Sequence, residues 1–170
     1  MIRQVLREDL KALEVFFELV IRDTYVKEGI GHLEKEILEE VAQKMTYVSD
    51  AIGNNESKHY FLLALEDKKI IGCAAYGPSS HLIYDHIASL KDVVELGSVL
   101  IDPVYQNMGY GKALVDKVID EISTFTDEFC LDSGYTIAKK IWTKKFGQPK
   151  LILKDFWGPG FDHYIWHINL

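Results

Sequence analysis

Two features of this 170-residue sequence carry residue types suited to chemistry. The first is the polar run Gln106-Asn107-Met108-Gly109-Tyr110-Gly111-Lys112, which follows an apolar stretch and opens an amphipathic one. Glycine tolerates positive φ and lets a backbone approach a ligand closely. Successive N–H groups running into a helix N-terminus suit phosphate oxygens, and the helix dipole adds to the attraction. Lys112 would place a cation beside them. The run is no Walker loop, because G-x-x-x-x-G-K-[ST] is absent. A dinucleotide fold is disfavoured by the missing third glycine and by a strand that comes late in the chain. An ordinary strand-to-helix turn is the alternative. The second feature is Glu95, a carboxylate in the apolar run 93–101. A charge there is costly to bury, so Glu95 is a candidate base, or else a structural glutamate at a strand end or one paired with a lysine.

The elements that must hold these groups are legible from periodicity. The run 93–101 reads as a buried strand closed by Asp102-Pro103, where proline forbids further pairing. A helix starts near Gly111, with Leu114, Val115, Val118, Ile119 and Ile122 on one face. Before this unit, residues 2–6 form a short strand, and Asp9 is a candidate N-cap for a helix carrying Leu10, Leu13, Phe17 and Val20. A second helix carries Leu33, Ile37, Val41, Met45 and Val48 and fades by Gly53-Asn54-Asn55. Its Glu34, Glu36, Glu39 and Glu40 read as an acidic acceptor surface or as a solvated helix face. Strands at 60–65 and 69–77 form a hairpin through Glu66-Asp67-Lys68, and Gly72 marks a bulge or a close backbone approach.

Residues 78–91 are too long for a hairpin connection and read as a polar loop with His81, Tyr84, Asp85 and His86. No Ser or Cys nucleophile motif accompanies that Asp-His pair. Strands at 129–132, 151–156 and 163–170 and a helix at 136–145 complete the chain. His163 and His167 share one face of the last strand, ~13 Å apart, too far to chelate one metal.

Composition narrows the classes. Net charge is −7, and no lysine or arginine block exists, which argues against nucleic acid and mildly favours a cationic partner. No stretch of about 18 apolar residues suggests a membrane span, and charges interrupt the N-terminus before a signal core can form. Cys73 and Cys130 fit small buried thiols rather than a disulfide. These readings imply one domain over residues 1–170, in the cytoplasm.

The run Val99-Leu100-Ile101-Asp102-Pro103-Val104-Tyr105-Gln106-Asn107-Met108-Gly109-Tyr110-Gly111-Lys112-Ala113-Leu114 resembles the coenzyme A motif of the GNAT superfamily of N-acetyltransferases. That motif is a hydrophobic strand, often D-P, then [QR]-x-x-G-x-[GA] opening a helix; the order of elements along the whole chain is similar too. The resemblance implies an α/β (α+β) fold: a mixed, mostly antiparallel seven-stranded sheet, splayed at strands four and five, with about four helices. It implies transfer of an acetyl group from acetyl-CoA, without a metal, to an amine of a small molecule or peptide by direct attack. Val99, Leu100 and Ile101 would supply backbone to the pantetheine arm and the oxyanion, and the amides of residues 106–112 would hold the pyrophosphate. Glu95, eleven residues before Gln106, resembles the family's catalytic glutamate.

One departure stands out. Where many members carry N-x-x-A-x-x-L-Y, this chain has Tyr135-Thr136-Ile137-Ala138-Lys139-Lys140-Ile141-Trp142. Indole cannot serve as a general acid, though Trp142 can hydrogen-bond or pack on the pantetheine. Tyr135 or Tyr110 would substitute as the acid, or the thiolate would leave unaided. The rival reading is a coenzyme-binding sensor or partner subunit that no longer catalyses. Trp157, Phe161 and Trp166 read as an apolar patch for a homodimer or as core packing.

Overall fold

The computed structural model describes residues 1–53 and 58–170, so Asn54 and Asn55, where the second helix was expected to fade, lie outside the described residues. The strands are β1 (Ile2–Gln4), β2 (Tyr60–Glu66), β3 (Lys69–Pro78), β4 (Val94–Ile101), β5 (Glu128–Ser133), β6 (Leu151–Leu153) and β7 (His163–Asn169). They form one seven-stranded sheet in the order β1-β2-β3-β4-β5-β7-β6. The β1–β2, β2–β3, β5–β7 and β6–β7 pairs are antiparallel, while β4 and β5 pair in parallel at the single register position Glu95↔Cys130. The helices are α1 (Leu10–Lys27), α2 (Glu34–Gly53), the short α3 (His81–Tyr84), α4 (Tyr110–Ile122) and α5 (Thr136–Phe146).

The chain divides into two compact units, the first made of Met1–Gly77 with Ser98–Glu121 and the second of Pro78–Gly97 with Ile122–Leu170. In the first unit, β2 and β3 are buried along almost their whole length, because helices cover both faces and leave no reason for polar alternation. Leu13, Phe17 and Val20 of α1 and Ile37 and Val48 of α2 are buried, and the Phe17 ring meets Phe61 of β2 edge-on at 6.1 Å. On the other face lies α4, whose Leu114, Val115 and Val118 are buried as the periodicity predicts. Gly72 proves to be both alternatives at once. The β2–β3 register slips beside it, between Ala64 and Leu65. A Cβ built on Gly72 would also lie 2.6 Å from Ile101 Cδ1 and 3.3 Å from the Leu100 carbonyl oxygen.

Asp9 does not cap α1 with its side chain. It is buried instead, gripped by Arg3 through two hydrogen bonds of 2.7 and 2.8 Å and accepting the Leu6 N–H at 2.8 Å. That fork joins β1 to the helical turn before α1, a role that N-cap statistics do not describe.

In the second unit the stretch 78–91 is not a polar loop. Ile83, Ile87 and Leu90 recur at helical spacing; Ile83 and Leu90 are fully buried against Cys130 and Ile165, with Ile87 packed beside them. The polar residues of α3 satisfy one another on the outside, where the Tyr84 hydroxyl and His81 Nε2 are 2.9 Å apart. Strand β6 stops at Leu153 rather than reaching Phe156, because Asp155 turns into the left-handed region (φ 52°). Trp166 belongs to the core, 1% exposed, with its indole N–H on the Gly147 carbonyl at 3.0 Å, so it forms no surface patch with Trp157 and Phe161.

Gly72→Ala is expected to destabilise the protein by about 1–3 kcal/mol through overpacking against Ile101 and Leu114, read as a lower urea midpoint with an unchanged m-value.

Candidate functional site

Within the first unit, the end of β4 is defined by Asp102. Its carboxylate is almost fully buried, with one oxygen 2.8 Å from Lys69 Nζ and the other accepting the Val104 N–H at 3.0 Å. Its own N–H donates to the Ile71 carbonyl at 2.9 Å, and its carbonyl accepts the Tyr105 N–H at 2.8 Å. Burial alone would raise the Asp102 pKa, but the Lys69 ammonium and the Val104 amide outweigh it and hold the carboxyl below its ordinary value. Pro103 sits at the first position of the helical turn that follows, where it loses no ladder bond.

The polar run then leaves this anchor with Asn107 (φ 63°) and Gly109 (φ 89°) in the left-handed region. Alternating handedness of this kind turns successive amides toward one side, the geometry of an anion-binding nest. Helix α4 makes its first bond from Ala113 N–H to the Gly109 carbonyl, so the amides of Tyr110, Gly111 and Lys112 precede any intrahelical acceptor. Gln106 is held on both sides, its Nε2 donating to the Ile101 carbonyl at 3.2 Å and its Oε1 accepting Lys27 Nζ at 3.2 Å.

The two glycines of the loop differ. A Cβ on Gly109 would meet no atom within 4 Å, so only its positive φ demands glycine; on Gly111 a Cβ would make an ordinary 3.5 Å contact with Ile101. The fold by itself therefore does not require a glycine at 111. Lys112 is not a free cation over the loop, because its ammonium is bonded to Asp116 one helical turn on. Tyr110 points its hydroxyl at Glu66, 3.4 Å away.

Sequence reasoning missed Ser98. It stands inside β4 with φ 51°, immediately before Val99, Leu100 and Ile101, which are all half-buried. Its carbonyl accepts the Cys73 thiol at 3.0 Å. Nothing in the residue type announces this, since serine has no preference for positive φ.

In the second unit, Glu95 is half-buried on β4, and its Oε2 accepts the Ser80 backbone N–H at 2.7 Å. Cys130 on β5 lies opposite in register. Burial first, and the Glu95 charge second, push the Cys130 thiol up to about 12; burial does the same to Cys73 in the first unit. Both thiols are free and buried, as expected. Tyr135 occupies the N-cap position of α5, half-buried, with its N–H on the Ser133 hydroxyl at 3.1 Å. Trp142 is buried and stacks on Phe146, with ring centroids 5.8 Å apart, so its packing is accounted for within the second unit. His163 and His167 each find a carboxylate of their own, Asp132 at 3.0 Å and Glu128 at 2.6 Å. Among the described residues no cluster of His, Cys, Asp and Glu could hold a metal ion, and no helix is long and apolar enough to cross a membrane. Of the acidic residues of α2, Glu34 is bound bidentately by Arg22 and Glu40 accepts the Tyr25 hydroxyl.

The model of the acetyltransferase (GNAT) family matches residues 17–129, most of the chain and all of the β4-loop-α4 unit. The chain belongs to the GNAT acetyltransferase family and is an acyltransferase. Solved structures of this fold match it throughout. A PaiA N-acetyltransferase from Thermoplasma acidophilum, in complex with coenzyme A, is 19% identical with a TM-score of 0.72 over 100% of this chain and 98% of the other. A ribosomal-protein-alanine N-acetyltransferase from Brucella melitensis is 18% identical, with a TM-score of 0.72 over 100% and 99%. YncA from Salmonella typhimurium, with its cofactor acetyl-CoA, is 15% identical with a TM-score of 0.71 over 100% and 93%. No curated protein matches the sequence.

The two loop glycines should separate in a stability measurement. Gly109→Ala is expected to cost about 1 kcal/mol through its left-handed backbone, whereas Gly111→Ala should leave the urea midpoint unchanged or raise it by up to about 1 kcal/mol, as alanine for glycine in a helix does. Asp102 should make the protein acid-sensitive. A carboxyl whose folded pKa lies below the unfolded value of about 3.9 contributes stability above that pH and loses it as pH falls through the folded value. Urea midpoints compared at pH 5 and pH 3 should therefore drop more for the wild type than for Asp102→Asn.

Proposed function

We propose that this acyltransferase takes an acetyl group from acetyl-CoA to a primary amine of a small molecule or peptide by direct attack in a ternary complex. The observation that carries the reading is the loop after β4. Its left-handed Asn107 and Gly109 and the unbonded first-turn amides of α4 form an anion cradle, and the fold does not itself require Gly111 to be glycine. A phosphate-bearing ligand lying against the backbone accounts for both.

In this reading the amides of residues 106–112 hold the pyrophosphate, and β4 from Val99 to Ile101 offers backbone groups to the pantetheine arm and to the developing oxyanion. Glu95 takes the ammonium proton of the acceptor, directly or through one water, so that the amine lone pair can attack the thioester carbonyl. A C–N bond forms, the C–S bond breaks, and the departing thiolate is protonated. Tyr135 is the candidate acid, because the Tyr110 hydroxyl is engaged by Glu66. Trp142 has no titratable proton to offer, and its stacking on Phe146 gives it a packing role; pantetheine contact through its edge is the remaining part of its expected function.

The test begins with calorimetric titration of the folded protein with coenzyme A and with acetyl-CoA, repeated on Gly109→Trp. Micromolar binding that disappears in the variant supports the site; a folded wild type that binds neither ligand overturns it. Amine panels should then be run with wild type and Glu95→Gln. Glutamine keeps an oxygen for the Ser80 N–H while removing the base, so kcat/KM should fall by about 10²–10⁴ and the acidic limb of the pH profile, where a carboxylate base would be protonated, should flatten. An unchanged rate and profile would remove Glu95 from the chemistry. Coenzyme binding with no turnover of any amine would instead favour the coenzyme-binding sensor.

A further inference from the structure

We infer that the β2–β3 hairpin turn is a clasp that positions the coenzyme loop, with Lys69 as its principal residue. The inference rests on the coenzyme reading above and concerns the hairpin side chains Glu66 and Lys69, which lie outside the residues assigned to the pyrophosphate. The turn is a tight one, Asp67 (φ 47°) and Lys68 (φ 69°) both lying in the left-handed region between the paired Glu66 and Lys69. This handedness matches the twist of the flanking strands, so the two side chains that leave its base are fixed in direction.

Each of them holds one end of the loop. Lys69 takes the N-terminal end: its ammonium bonds the buried Asp102 carboxylate at 2.8 Å and lies 5.3 Å from the centroid of the Tyr105 ring. Glu66 takes the C-terminal end, where it accepts the hydroxyl of Tyr110, the first residue of α4, at 3.4 Å. The two ends are bridged by the rings themselves, Tyr105 meeting Tyr110 edge-on at 6.1 Å. Glu66 also acts on Tyr105, raising its phenol pKa, with Lys69 opposing that shift. Between the ends lie Asn107 and Gly109 in their left-handed conformations.

Besides these contacts the loop is held by Gln106, whose side chain bonds the Ile101 carbonyl and Lys27. Val104, Met108 and Gly109 are exposed, so apolar burial does not select its shape. Asparagine tolerates left-handed backbone better than other non-glycine residues, but at Asn107 it is still one of several accessible conformations, and its surroundings bias the choice. If the competent shape is populated only a fraction of the time, apparent affinity falls by that same fraction. Lys69 is thus a positioning residue: its effect on the reaction is to raise the population of the loop shape whose amides converge.

The test is coenzyme A titration of wild type, Lys69→Met and Lys69→Arg, well below their melting temperatures, with acetyl-CoA kinetics alongside. Methionine keeps the stem of the side chain and removes the charge; arginine restores a donor to Asp102. For Lys69→Met the expected result is a roughly tenfold weaker Kd and a matching rise in KM for acetyl-CoA, as when about one molecule in ten has the competent loop. Its kcat should stay within about twofold of wild type, and Lys69→Arg should recover most of the affinity. Tyr110→Phe, which keeps the ring and removes only the Glu66 bond, supplies a second variant in case Lys69→Met does not fold, with a smaller weakening expected. A folded Lys69→Met or Tyr110→Phe that is merely less stable but binds coenzyme A like wild type overturns the clasp. A wild type that does not bind overturns the coenzyme reading instead, so the two failures are distinct.

Discussion

The first unit depends on how one buried carboxylate is satisfied. Asp102 sits where β4 must stop pairing and the chain must turn, and it is nearly inaccessible to water. An ionised carboxylate in that position is tolerable only with a cation and hydrogen-bond donors around it. Lys69 and the Val104 amide provide them, and the backbone groups of Asp102 are paired as well. The result is a fixed departure angle from β4, and the direction in which the amides of the next residues point follows from it. Proline at 103 reinforces the same turn by ending the ladder without leaving a donor unpaired.

The second unit shows a related economy around Glu95. Its carboxylate anchors the β3–β4 connection by accepting the Ser80 amide, and that connection plugs the core with Ile83 and Leu90. The same side chain is the candidate base. A group that is both hydrogen-bonded to backbone and half-buried is held in one orientation, which a proton acceptor needs if it is to meet an amine repeatedly in the same geometry. The two readings of Glu95 offered by the sequence, structural and catalytic, are therefore compatible. The paired cysteine position opposite it adds nothing reactive, because burial keeps the Cys130 thiol protonated.

How legible each element was in the sequence follows from the range of the forces involved. The stripe of α4, the β2–β3 hairpin and the β4 strand were read nearly to the residue, since periodicity and turn chemistry are local signals. The stretch 78–91 was misread because its polar residues are conspicuous. Its three apolar residues at helical spacing, Ile83, Ile87 and Leu90, carried the correct signal and are the ones that pack into the core. Trp166 was ambiguous between surface and core, as a large aromatic on a terminal strand must be until its neighbours are known. Lys112, expected as a cation beside the loop, is paired with Asp116 one turn along the helix, an i,i+4 spacing that the sequence already displays.

The sequence by itself determined the order of elements, the glycine-bearing loop between a buried strand and an amphipathic helix, and the family. All of these rest on residues near one another in the chain. Tertiary structure alone decided which side chains meet across distance: Lys69 with Asp102 and Glu66 with Tyr110. It also decided the left-handed turn at Ser98, which no serine announces. The physical reason is common to all of them. A hydrophobic period or a turn residue expresses a local preference, whereas a charge pair or a strained dihedral is stable only in surroundings that distant segments supply.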